Sequence, residues 1–216
     1  MLMMYFEERK DLCEVAKMMF DRFNTNAAGG NISVKVSDEH FVMTPTLMSQ
    51  SKFCRLEPEE ILVIDKFGHI YEGEGKVSRE FNMHMAAYEM LPHAGAVIHA
   101  HPKESMVFAS LGIPMPNITE ATQKLGEVIT LDFAPATTME LAEKVRTHFA
   151  SKNGHLPAAA LLRRHGIIVA DVTLRKAYDM LERIEFNAYV GIHAKLFEAL
   201  GIYKNEQSGF QVNLEE

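Results

Sequence analysis

Apolar positions near the start of the chain recur at helical spacing: Leu12, Val15, Ala16, Met19 and Phe23 form one stripe, with Asp11, Glu14, Lys17 and Asp21 between them. Such a stripe predicts an amphipathic helix laid on a core. The period then changes. Asn24, Asn26, Gly29 and Gly30 mark a loop, and Ile32, Val34 and Val36 alternate with polar residues as a strand does. "HFVMTP" follows across the turn "SDEH" as a pairing strand, and "ILVID" and "HIYEG" about "KFG" read as a hairpin. A helix is expected from about Ser78 to Leu91, then a buried strand at "AVIHAH", a helix at "KESMVFASLG" closed by Gly112, and a strand at "EVITLDF". Thr137 and Glu140 have capping-box spacing ahead of the helix "MELAEKVRTHFASKNG", which Gly154 would end. "AAALLRRHGIIVAD" reads as two short strands about a turn at His165 and Gly166, after which Thr173 caps a helix reaching Gly201. Strands and helices alternate, but several strands are joined by short turns. The sheet is therefore expected to be mixed or largely antiparallel, with helices on its faces.

Length and charge narrow the class of function. The 216 residues suit one domain, 1–216, and 47% hydrophobic with 24% charged residues is the make-up of an ordinary globular protein. A formal charge of −7 argues against a nucleic-acid surface, so an anionic ligand must be held locally. Cys13 and Cys54 offer no disulfide framework, "MLMMYFEERK" is too short an apolar run for a secretory signal, and no stretch is long enough for a membrane span. A cytoplasmic location is the default expectation. The tail "NEQSGFQVNLEE" is polar and reads as a frayed end or one ordered on contact.

The chemistry concentrates in "GAVIHAHPKES". His99 and His101 flank one alanine, and alternate side chains of a strand share a face at a spacing of about 6.5 Å. Two imidazoles so placed can converge on one metal ion, and zinc takes about four nitrogen, sulfur or oxygen ligands. His165 in "RRHGIIV" is the best third candidate, because Gly166 lets the backbone turn tightly and the ring project from the sheet. Glu80 is a candidate fourth group in the first turn of its helix, where the dipole favours a carboxylate. The remaining histidines, His40, His69, His84, His93, His148, His155 and His193, read as packing or surface residues; His84 tempts only because it lies four residues after Glu80. "HAHPKE" with Glu104 also imitates a cupin motif, but the long helical segments contradict an all-β barrel.

Four separated stretches, "AAGGNISVK", "SREFNMHMAAYE", "AVIHAHPKES" and "LLRRHGIIVAD", together resemble the class II aldolase and adducin family of sugar-phosphate enzymes, over roughly residues 5 to 200. The resemblance implies a three-layer α/β/α sandwich around a mixed, mostly antiparallel sheet, assembled as a homotetramer with active sites between subunits. It implies one Zn2+ on His99, His101 and His165, with Glu80 metal-bound at rest and displaced by substrate to act as base. Asn31, Thr46 and Ser78 would hold the substrate phosphate, beside backbone amides exposed by the glycines. The implied reaction is cleavage of a ketose 1-phosphate of the L-fuculose-1-phosphate type to dihydroxyacetone phosphate and a short aldehyde, through a metal-stabilised enediolate.

The sequence departs from the family pattern at three places. Ser78-Arg79 stands where two serines are common, and Arg79 brings a planar fork of donors for a phosphate or carboxylate. Leu47 stands where glycine is familiar. The tyrosine that protonates the leaving group from a neighbouring subunit is missing from "PNITEATQKLG", where Glu120 is the nearest titratable replacement. Relatives of the same fold stay open as alternatives: a decarboxylase of phosphorylated oxo-acids, which would give Arg79 a carboxylate to hold, a sugar-phosphate dehydratase, or a 4-epimerase, the last disfavoured because such enzymes carry aspartate at the position of Glu80. The non-catalytic alternative is an adducin-like interaction module, against which the three histidines and Glu80 argue.

Overall fold

The computed structural model describes residues 3–203; the polar tail at 205–216 lies outside them. Within the described residues eight strands form one sheet: β1 (Asn31–Lys35), β2 (Phe41–Met43), β3 (Leu62–Ile64), β4 (Ile70–Glu72), β5 (Ala96–Ala100), β6 (Thr130–Leu131), β7 (Ala158–Leu162) and β8 (Gly166–Asp171). Their order is β4-β3-β2-β1-β5-β8-β7-β6. Every neighbouring pair is antiparallel except β6 with β7. This is the mixed, mostly antiparallel sheet that the turn-linked strands predicted.

Among the described residues six helices cover the sheet: α1 (Phe6–Asp21), α2 (Met48–Lys52), α3 (Phe81–Met90), α4 (Lys103–Leu111), α5 (Met139–Ala150) and α6 (Leu174–Ala199). The period of two along the strands sorts side chains into two cores. Ile32, Ile98, Leu161 and Val169 join Leu12 and Val15 of α1, Phe108 of α4 and Leu181 of α6 on one face. Val97, Ala160, Leu162 and Ile168 join Met83 and Ala87 of α3 and Val145 and Phe149 of α5 on the other. Because the central strands are buried on both faces, they read as continuous apolar runs rather than alternating ones. The result is the three-layer sandwich. Among the described residues no helix is long and apolar enough to cross a membrane.

Several boundaries differ from expectation, each for a local reason. The first helix stops at Asp21, and Phe23, expected on its buried stripe, takes φ 62° and is exposed. "EVITLDF" supplies only the two residues of β6. The helix expected from Ser78 begins at Phe81, so Glu80 is its N-cap rather than a first-turn residue. The capping frame of α5 is shifted by one: Thr138, not Thr137, accepts the Leu141 N–H at 3.3 Å, and α5 ends at Ala150, short of Gly154. The Thr173 cap holds as expected, accepting the Lys176 N–H at 3.3 Å.

The register places the chemistry. Asn31 of β1 lies opposite His99 of β5, and Ala100 lies opposite Ile167 of β8. The start of β1, the end of β5 and the β7–β8 turn therefore meet at one end of the sheet.

Candidate active site

His99 shares its face of β5 with Val97, and the chain leaving the strand carries His101 onto the same side, as the period of two requires. His99 is buried, and its Nδ1–H donates to the Ile167 carbonyl oxygen at 3.0 Å. That bond fixes the tautomer and leaves Nε2 with its lone pair, the form a metal ligand needs. His99 Nε2 stands 3.1 Å from His101 Nε2. His165 completes the group from the β7–β8 turn, and one ligand atom from each of the three rings lies within 4.8 Å of the others. Burial lowers the pKa of all three: His99 well below the usual histidine range, with the neighbouring imidazoles adding to the effect, His101 to about 4, and His165 in the same direction. Three neutral imidazoles at neutral pH are three available lone pairs.

Two glycines make room for this convergence. A Cβ at Gly29 would lie 2.3 Å from His101 Cε1, and one at Gly166 would lie 2.4 Å from the Ala100 carbonyl oxygen and 2.6 Å from His101 Cδ2. Gly166 is thus required by close approach. The left-handed residue of the turn is Arg164 at φ 60°.

Glu80 stands at the N-cap of α3 and is buried. Its Oε1 accepts the Thr137 N–H at 3.0 Å and lies 3.9 Å from His165 Nε2. Among the described residues its Oε2 is buried without a partner, as is Nδ1 of His165. Burial raises the Glu80 pKa, and the Thr137 N–H and the Arg79 charge pull the other way. A carboxyl in this setting is suited to exchanging a proton.

One cavity of about 350 Å³ gathers the three histidines, Glu80, Asn31, Thr46, Ser78 and Arg79. Arg79 is exposed at its edge, whereas Asn31 and Ser78 are buried. Leu47 also lines it, in a left-handed conformation (φ 62°, ψ 18°). The backbone thus keeps a shape glycine adopts freely, with the leucine side chain half in solvent. Glu120 is not brought to this cavity. It lies exposed at the start of a 3₁₀ turn, in a separate hollow beside Lys124 and Lys176. Glu120 thus does not line the cavity that holds the histidines of its own chain.

Two contacts at the site escaped the sequence reading. One is the amide of Thr137. The other is His84, fully buried beneath the site: its Nε2 faces Asn31 Oδ1 at 2.5 Å and its Nδ1 faces Ser33 Oγ at 2.7 Å. Tyr88, one turn further along α3, donates to the Ser33 carbonyl at 2.9 Å. Burial alone drives the His84 pKa down to about 3, so the ring is neutral. With Nε2–H donating to Asn31 Oδ1, the NH₂ of Asn31 is left for the cavity. The signal was the spacing of Glu80, His84 and Tyr88, four residues apart on one helical face. The other histidines keep packing or surface roles: His148 is buried against the Ala159 carbonyl, and His40 pairs with Tyr5.

Residues 10–192 match the family described as the Class II Aldolase and Adducin N-terminal domain. The L-fuculose phosphate aldolase of Methanococcus vannielii is 33% identical, over 82% of this chain and 91% of that protein. The 5-deoxy-D-ribulose 1-phosphate aldolase of Bacillus thuringiensis is 26% identical, over 89% and 88%. A 3-oxo-tetronate 4-phosphate decarboxylase of Haemophilus influenzae is also 26% identical, over 84% and 85%. Among solved structures, an L-fuculose 1-phosphate aldolase superposes with a TM-score of 0.77 at 28% identity, covering 88% of this chain and 87% of that one.

Proposed function

The chain belongs to the class II aldolase and adducin family, and from that premise we propose that it is a metal-dependent lyase that cleaves a ketose 1-phosphate of the L-fuculose-1-phosphate type to dihydroxyacetone phosphate and a short aldehyde. The observation that carries this reading is the convergence of three neutral imidazoles beside a buried carboxylate with one unpartnered oxygen. An interaction module has no use for such a set, whose burial costs stability.

The donor set fits a divalent cation. His99, His101 and His165 would hold it, Glu80 would be the fourth ligand at rest, and nitrogen with carboxylate oxygen suits zinc. When bound, the cation supplies an electron sink for the negative charge that develops on the substrate oxygens as the C3–C4 bond breaks. Glu80 takes the proton from the C4 hydroxyl and returns one to C3, a role its raised pKa favours. Asn31, with its amide oxygen held by His84, offers NH₂ to the phosphate, and Thr46 and Ser78 add hydroxyl donors. Arg79 at the edge supplies a charged clamp. Glu120 of a neighbouring subunit in a homotetramer would face the C4 oxygen as its proton passes to Glu80 and the aldehyde forms.

Arg79 also favours a second reading, decarboxylation of a phosphorylated oxo-acid, since a guanidinium at the edge of the cavity matches a substrate carboxylate. Product analysis separates the two. The zinc-loaded protein given dihydroxyacetone phosphate and a panel of short aldehydes is expected to form a new phosphorylated ketose with at least one of them. No condensation, together with carbon dioxide released from a phosphorylated oxo-acid, transfers the assignment to the decarboxylase.

A further inference from the structure

Thr137 is a β-branched residue at φ 67°, in the left-handed region that favours glycine. Its side chain is exposed, so packing of that side chain does not hold the strain in place. Its backbone N–H, however, donates to Glu80 Oε1 at 3.0 Å. The next residue, Thr138, takes over the capping of α5. The junction is thus divided between two jobs: Thr138 closes its own helix, and Thr137 reaches across to the N-cap of α3. Strained backbone persists where the surroundings over-determine it, and such sites cluster where geometry matters for function.

We propose that Thr137 is a positioning residue: its left-handed backbone aims its N–H at Glu80 Oε1 and so fixes where the carboxylate stands beside the three histidines. The bond occupies one oxygen and leaves Oε2 as the one free to take a cation or a proton. It also ties the carboxylate to a backbone atom in the wall of the cavity, since Ala136 and Thr137 both line it. The inference rests on Glu80 as the acid/base of the proposed reaction, but the contact it depends on can be tested apart from activity.

Replacing the Thr137 amide by an ester, through incorporation of the α-hydroxy analogue of threonine, deletes the N–H and leaves the side chain. Loss of a charge-assisted hydrogen bond that matters in the transition state lowers kcat by about ten- to a hundredfold. KM is expected to stay within about threefold, because substrate binding does not use the bond. An ester variant with wild-type kcat overturns the proposal, and so does one whose loss lies wholly in KM. Amide hydrogen exchange in the metal-free chain serves if the ester variant does not fold or if the wild type proves to be no aldolase. The Thr137 N–H is expected to exchange at least about tenfold faster in Glu80→Ala than in the wild type, while the Leu141 N–H, bonded to Thr138, keeps its rate. Equal Thr137 rates in the two proteins overturn the proposal whatever the reaction.

Discussion

Replacing His84 by leucine tests whether the layer beneath the site shapes it. Leucine is close to histidine in volume and is replaced at a fully buried position, so the loss is of hydrogen bonds rather than of packing. Ser33 Oγ keeps Tyr88 OH at 3.0 Å as a partner, whereas Asn31 Oδ1 has no other hydrogen bond among the described residues. One buried acceptor left without a donor costs about 1–3 kcal/mol. At a urea m-value of about 2 kcal/mol/M, that lowers the unfolding midpoint by about 0.5–1.5 M with m unchanged. The same change releases the Asn31 amide from its fixed orientation. Affinity for inorganic phosphate, measured by calorimetry on the metal-loaded protein, is therefore expected to fall by about tenfold, worth one charge-assisted hydrogen bond. His84→Gln, whose amide can still donate to Asn31, recovers part of both losses. A leucine variant as stable as the wild type would refute the network; one that loses stability but binds phosphate unchanged would refute the orientation of Asn31.

Glu80→Gln keeps the shape of the site and removes the titrating group, so turnover is expected to drop by about two to four orders of magnitude while one metal per chain is retained; a near-normal rate contradicts the assignment. Gly29→Ala puts a methyl group 2.3 Å from His101 Cε1 and is expected to abolish stoichiometric zinc, read by elemental analysis on a protein with an unchanged far-ultraviolet spectrum; full zinc content contradicts the histidine site. Stability of the metal-free chain should depend on acid in a defined direction. The pKa values of His84, about 3, and His101, about 4, lie below the unfolded value, so the unfolded chain takes up protons first. Their contribution is fully present above about pH 6.5 and is lost toward the folded pKa values, at about 1.4 kcal/mol per pH unit for each histidine. Urea midpoints that do not move between pH 7 and pH 5 contradict this.

Much of the sandwich was legible because its elements are long and periodic. The stripe of α1 from Leu12 to Met19, the hairpin β7–β8 and the Thr173 cap of α6 are local patterns, and they appear as read. Two imidazoles on one strand face are also a local fact, and His165 followed from an independent turn signal. What stayed hidden depends on contacts between segments distant in sequence. Thr137 and Glu140 have the spacing of a capping box, but the demand of Glu80, 57 residues away, for a backbone donor accompanies a shift of the cap to Thr138. His84 resembles any helical histidine until β1 places Asn31 and Ser33 against it. Gly166 looked like a turn glycine because turns are the local use of glycine, whereas the crowding of Ala100 and His101 that requires it comes from another strand.

The central claim, that this chain performs metal-dependent proton chemistry on a sugar-phosphate skeleton, is tested most directly by hydrogen exchange into dihydroxyacetone phosphate in deuterated water, followed by NMR. The account predicts that the zinc-loaded protein exchanges one C3 hydrogen stereospecifically, that stripping the metal with a chelator stops the exchange, and that restoring zinc restores it. Exchange unaffected by removal of the metal, or none in the zinc-loaded protein, would contradict it.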